Sequence, residues 1–113
     1  MKMSPKATAR FIKSLLGNAR ILDQAIGKDN AFIMDEAMVY ESATIYGQAA
    51  AGENSHIYGL AKVGGWSRLL GNTRVFDQAD VIDTPLTNCV VCGDVQVRGY
   101  GALQDVYWWK NIP

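Results

Sequence analysis

Three sets of residues in this 113-residue chain have the types from which chemistry is built. His56 is the single histidine and the one candidate general base of that type. A lone imidazole cannot hold zinc, because such centres take three or four side-chain ligands. Cys89-Val-Val-Cys92 has the CxxC spacing, but no further pair and no histidine follows at ligand distance. The glycine pair Gly64-Gly65 adds no further set, because it belongs to no phosphate-cradling motif. These residues therefore predict no metal and no cofactor. The third set is apolar and aromatic: Leu22, Tyr40, Tyr58 and Phe76 recur every 18 residues, with Arg20, Met38, His56 and Arg74 two positions earlier. Whether they meet depends on the elements that carry them.

Those elements are repeats. LLGNARILDQA at Leu15–Ala25 returns as LLGNTRVFDQA at Leu69–Ala79, 54 residues on, with eight of eleven letters unchanged. Internal repetition at fixed spacing is the mark of a solenoid. In sixes from Lys13, the first column is almost always small: Ala19, Ala25, Ala31, Ala37, Ala43, Ala49, Ser55, Ala61, Ser67, Thr73, Ala79. The third is aliphatic, from Leu15 and Ile21 through Ile57 and Val75 to Val97 and Leu103, with Gly27 and Ala51 as exceptions. The fifth is Gly, Asp or Glu in all fifteen hexads, so fifteen of the 22 such residues fall in one column. Columns one and three share a side in an extended segment and can fill a narrow interior. Column five suits the backbone angles of a tight corner, although Glu41 and Glu53 fit that role less well than Gly or Asp. A period of six does not match a helix. The reading is short strand, corner, short strand, corner.

This pattern resembles the hexapeptide-repeat proteins over about residues 15–106. The resemblance implies a left-handed parallel β-helix: an all-β solenoid of about five coils, each of three hexads. The corner residue here follows the aliphatic one by two positions, as in Val75-Phe76-Asp77 and Ile45-Tyr46-Gly47. That A-x-V-x-G-N style is similar to small hexapeptide proteins of bacteria and their phages and departs from the enzyme-rich branch. In that branch the resemblance would make the protein a trimeric acyltransferase with His56 as base at a subunit boundary, usually beside coenzyme A and a long loop. No long loop is present.

A single domain is expected over residues 1–113. A solenoid needs covers at its open ends. Ser4-Pro5 is a helix start and Phe11, Ile12 and Leu15 make an apolar stripe, so residues 4–14 are expected to form a capping helix. At the other end 107–113 leaves the frame with Tyr107, Trp108 and Trp109 and is expected to be an aromatic cap; Trp108 and Trp109 are also candidate interface residues. Pro85–Asn88 breaks the phase, as a small loop or a shortened hexad. Cys89 would take a small inward position and Cys92 an outward one.

The net charge of zero argues against a general nucleic-acid binder. No run approaches the length of a membrane span, and the lysine-bearing N-terminus lacks the apolar core of a secretory signal. With two cysteines outside any disulfide framework, a cytoplasmic protein is expected. Column four should face outward, so Leu22, Tyr40, Tyr58 and Phe76 form an exposed ladder beside Arg20, Met38, His56 and Arg74, the composition of a protein interface. The function expected is a non-enzymatic protein-binding solenoid, such as a small phage-encoded inhibitor that occupies a partner's surface, with self-association as a dimer or trimer. Acyl transfer through His56 and a purely structural self-associating element are the alternatives.

Overall fold

The computed structural model describes residues 14–99 and 101–109. Its strands are two or three residues long, because a corner interrupts the chain every five or six residues. The first coil holds β1 (Ser14–Leu15), β2 (Arg20–Ile21) and β3 (Ile26–Gly27), and the second β4 (Phe32–Ile33), β5 (Met38–Val39) and β6 (Thr44–Ile45). The third holds β7 (Ala50–Ala51), β8 (His56–Ile57) and β9 (Lys62–Gly64), and the fourth β10 (Arg68–Leu70), β11 (Arg74–Val75) and β12 (Asp80–Ile82). The fifth holds β13 (Pro85–Thr87), β14 (Val90–Val91) and β15 (Gln96–Arg98), before β16 (Leu103–Gln104) and β17 (Tyr107–Trp108). Every third strand pairs in parallel. The sheets run β1-β4-β7-β10-β13-β16, β2-β5-β8-β11-β14-β17 and β3-β6-β9-β12-β15. The fold is thus an all-β parallel solenoid of about five coils with three faces, with no helix among the described residues.

The columns explain the core. Ala19, Ala25, Ala31, Ala37, Ala43 and Ala49 are fully buried, as are Ile21, Ile33, Val39, Ile45, Ile57, Val63, Leu69 and Val75. Small and aliphatic residues alternate along the chain and fill a prism too narrow for two large side chains per strand. The hydroxyls that replace alanine are satisfied: Ser55 Oγ donates to the Gly52 carbonyl at 2.6 Å and Thr73 Oγ1 to that of Leu70 at 2.7 Å.

All fifteen fifth-column residues have φ between 53° and 71°. Glycine reaches that region freely, whereas other residues need compensation. The acids supply it. Asp23, Asp29, Asp35, Glu41, Glu53 and Asp77 each accept the backbone N–H of the equivalent corner residue one coil further on. Glu41 and Glu53 therefore serve as Asp does, their longer side chains reaching the N–H groups of Gly59 and Gly71.

The phase break closes without a loop. Asp83 and Asn88 both take corner angles, with φ 55° and 54°. Residues 79–83 and 84–88 are consequently two five-residue repeats. Thr84 points inward in the first column, Leu86 aligns with Leu69 in the third, and both are buried. Pro85–Asn88 is thus the body of a shortened repeat.

The ends differ in part from expectation. Of the capping helix expected over 4–14, residues 4–13 lie outside the described residues, and Ser14 belongs to β1. Tyr107 and Trp108 extend the second sheet as β17, with Trp108 aligned to Val91 and packed against the core. This part of the aromatic cap is therefore a further strand of the solenoid. Residues 110–113 lie outside the described ones.

Candidate functional site

The second sheet carries the stripe. Its second-column positions lie in register from Arg20 to Met38, His56, Arg74, Val90 and Tyr107. Two residues along each strand segment, Leu22, Tyr40, Tyr58 and Phe76 form the neighbouring row. Parallel strands sit about 4.8 Å apart, so side chains in equivalent rotamers stack at that spacing. The ring centroids of Tyr40 and Tyr58 are 4.9 Å apart with planes 8° from parallel, and those of Tyr58 and Phe76 are 4.9 Å apart at 4°. Leu22, Tyr40, Tyr58 and Phe76 are each half-buried. The stack is a rigid plate of three rings with its edge toward solvent.

His56 stands beside the plate. Its ring meets Tyr40 edge-on at 5.9 Å, and the Tyr40 hydroxyl lies 3.4 Å from Nδ1, where it can donate when the imidazole carries its proton on Nε2. Burial lowers the His56 pKa from its ordinary value, and the Arg74 guanidinium lowers it further. Burial raises the Tyr40 pKa, with Tyr58 adding to the shift. Among the described residues no carboxylate bonds to the imidazole, so the acid that orients a catalytic histidine is missing. Arg20 and Arg74 form no ion pair among the described residues, which leaves two guanidinium groups available beside the rings.

The His56 environment sets a pH dependence. The unfolded chain binds a proton near pH 6.5 while the folded chain resists it, so this contribution is present above the unfolded value and is lost as pH falls through the folded one. Between about pH 7.5 and about pH 5, the urea midpoint of His56→Gln is expected to fall less than that of the parent. Equal falls would show that His56 is not the group responsible.

Of the residues expected at an interface, Leu22, Tyr40, Tyr58, Phe76, Arg20, Met38, His56 and Arg74 share this face. Trp109 is 55% exposed, while Trp108 takes an inward position. The hexad frame missed three contributors. Val90 and Tyr107 continue the second-column row, and Tyr107 is 66% exposed. Cys92 follows Phe76 in the outer row by 16 residues, because the two five-residue repeats shorten the step. Instead of standing free in solvent it is buried at 7% exposure, and burial pushes its thiol pKa up. Five-residue spacing between the corner types Asp83 and Asn88 was the available signal.

Both cysteines are free and buried. Cys89 Sγ lies 3.3 Å from the Thr87 carbonyl, as a small core residue that donates weakly. Among the described residues no group of three or more His, Cys, Asp or Glu side chains is placed to hold a metal ion, and no helix is long and apolar enough to cross a membrane. No protein-family model matches this chain, and no curated protein matches it either.

Proposed function

From this geometry we propose that the protein is a non-enzymatic binding solenoid whose second sheet is the docking face for protein. The stacked plate of Tyr40, Tyr58 and Phe76 carries the reading. Hot spots at interfaces are rigid aromatic and arginine side chains near the centre of the contact, and this face combines three stacked rings with Arg20 and Arg74. The rings are already ordered, so little side-chain entropy remains to be lost on binding. An inhibitor that blocks a target by covering its surface needs such a preorganised plate and no catalytic group. The hexad pattern supports placing the chain with the small hexapeptide-repeat proteins of bacteria and phages. The two free cysteines suit the reducing cytoplasm as its place of action. The partner is a second copy, giving a dimer or trimer, or a different protein.

The test must separate docking from mere stacking. Arg74→Glu reverses a charge beside the rings and leaves the stack intact. Tyr58→Ser removes its middle ring. Mass is measured by light scattering, and binding by capture on immobilised protein. Both variants are expected to lose association, or a captured partner, by about tenfold or more in affinity. Unchanged mass and unchanged capture with both variants would remove the second sheet as the interface.

A further inference from the structure

The first sheet lacks the continuous stack of the second. Phe32, Ala50 and Arg68 lie in register on three successive coils. The rung at Ala50 therefore carries only a methyl group between a phenyl ring below and a guanidinium above. On the second sheet the corresponding row is Met38, His56 and Arg74, and in the row beside it an interval of the same height, between Tyr40 and Phe76, is filled by the ring of Tyr58 at 4.9 Å from each. The coil spacing is common to all three faces, so the gap over Ala50 has the height of one planar ring. It opens as a cleft of about 330 Å³, within the range for small-molecule sites. Gln48 and Trp66 form the corner side of the cleft, and Trp66 is 66% exposed. At the far side of the cleft Met34, Leu70 and the Asp35 carboxylate, which accepts the Glu53 N–H at 3.0 Å, stand over Gly52.

Arg68 fixes the charge of the occupant. It is exposed and makes no ion pair among the described residues. A guanidinium at the upper wall favours a carboxylate or phosphate in bidentate geometry and can also lie flat against a ring. The phenyl ring of Phe32 supplies the lower stacking surface. We propose that this cleft is a binding site for a small planar aromatic anion, whose ring takes the vacant rung over Ala50 and whose negative group pairs with Arg68. The site lies on a different face from the protein-docking plate and does not depend on it.

Benzoate, phenyl phosphate and indole-3-carboxylate are the probes, with acetate and neutral indole as controls, titrated into the intact protein and followed by amide and indole N–H chemical shifts. The aromatic anions are expected to produce saturable shifts at Gln48, Ala50 and the Trp66 indole, with dissociation constants of about 1 mM or lower. Arg68→Gln is expected to weaken binding about tenfold. Ala50→Phe, which builds the missing ring into the chain, is expected to abolish it while keeping the folded spectrum. Should Ala50→Phe not fold, Ala50→Leu fills the same rung with a smaller group. The proposal is overturned if no aromatic anion saturates, if acetate or indole binds as well as benzoate, or if filling the rung leaves binding unchanged.

Discussion

Gly59→Val is expected to destabilise the protein by roughly 3–4 kcal/mol, with a matching fall in the urea midpoint followed by circular dichroism. Two terms add. Gly59 has φ +68°, a region costing an L-residue about 1–2 kcal/mol and more when it is β-branched. A Cβ there would also stand 2.9 Å from the Asp77 nitrogen and 3.1 Å from its carbonyl oxygen. Those atoms belong to the backbone of the next coil and cannot swing aside. The corner is also tied by bonds from Gly59 N–H to Glu41, from Ser42 N–H to the Gly59 carbonyl, and from Leu60 N–H to the Asp77 carbonyl. Retreat by either coil would stretch them. Gly99 is the control: its φ is +66°, but a Cβ there meets nothing within 4 Å among the described residues. Gly99→Val should lose only the conformational term. Equal losses at the two sites would show that coil-to-coil contact does not govern the corners.

Ile57→Ala is expected to cost about 3–5 kcal/mol, the upper part of the range for a large-to-small core change. Ile57 is fully buried in the middle coil, in register with Val39 below and Val75 above. The cost of a cavity depends on how far its walls collapse, and here they are held apart. Backbone bonds such as Tyr40 N–H to the Ile57 carbonyl and Tyr58 N–H to the Val75 carbonyl, 2.9 and 3.0 Å long, set the coil separation. Leu103 supplies the comparison, because it lies at the last coil and is only partly buried. Leu103→Ala should lose distinctly less, measured by the same denaturation. A loss at Ile57 no larger than that at Leu103 would mean that the coils can close over a missing side chain.

Much of this architecture was legible in the chain itself, for an identifiable reason. In a solenoid each residue's role is settled by its place in the repeat, and its partners recur at a fixed interval. The inward columns and the corners could therefore be read letter by letter, down to the Leu22–Tyr40–Tyr58–Phe76 row. Legibility failed where the interval changed. A frame of sixes left Pro85–Asn88 outside the repeat, Thr84 in an outer column and Cys92 off the stripe, because it counts residues while the structure counts corners.

The cleft on the first sheet was illegible for a different reason. Ala50 and Gly52 are unremarkable letters in the hexad AAAGEN. Their small size matters only because Phe32 and Arg68 lie on the coils to either side. Tyr46 shows the same logic in reverse: its ring lies over Gly64, one coil away, where a Cβ would strike it. Within the unbroken run of hexads the sequence alone determined which residues face inward and where the chain turns, since both follow from backbone geometry over six residues. Only the tertiary structure decided where stacked side chains fill a face and where they leave a gap, since that depends on contacts between residues 16 to 18 positions apart.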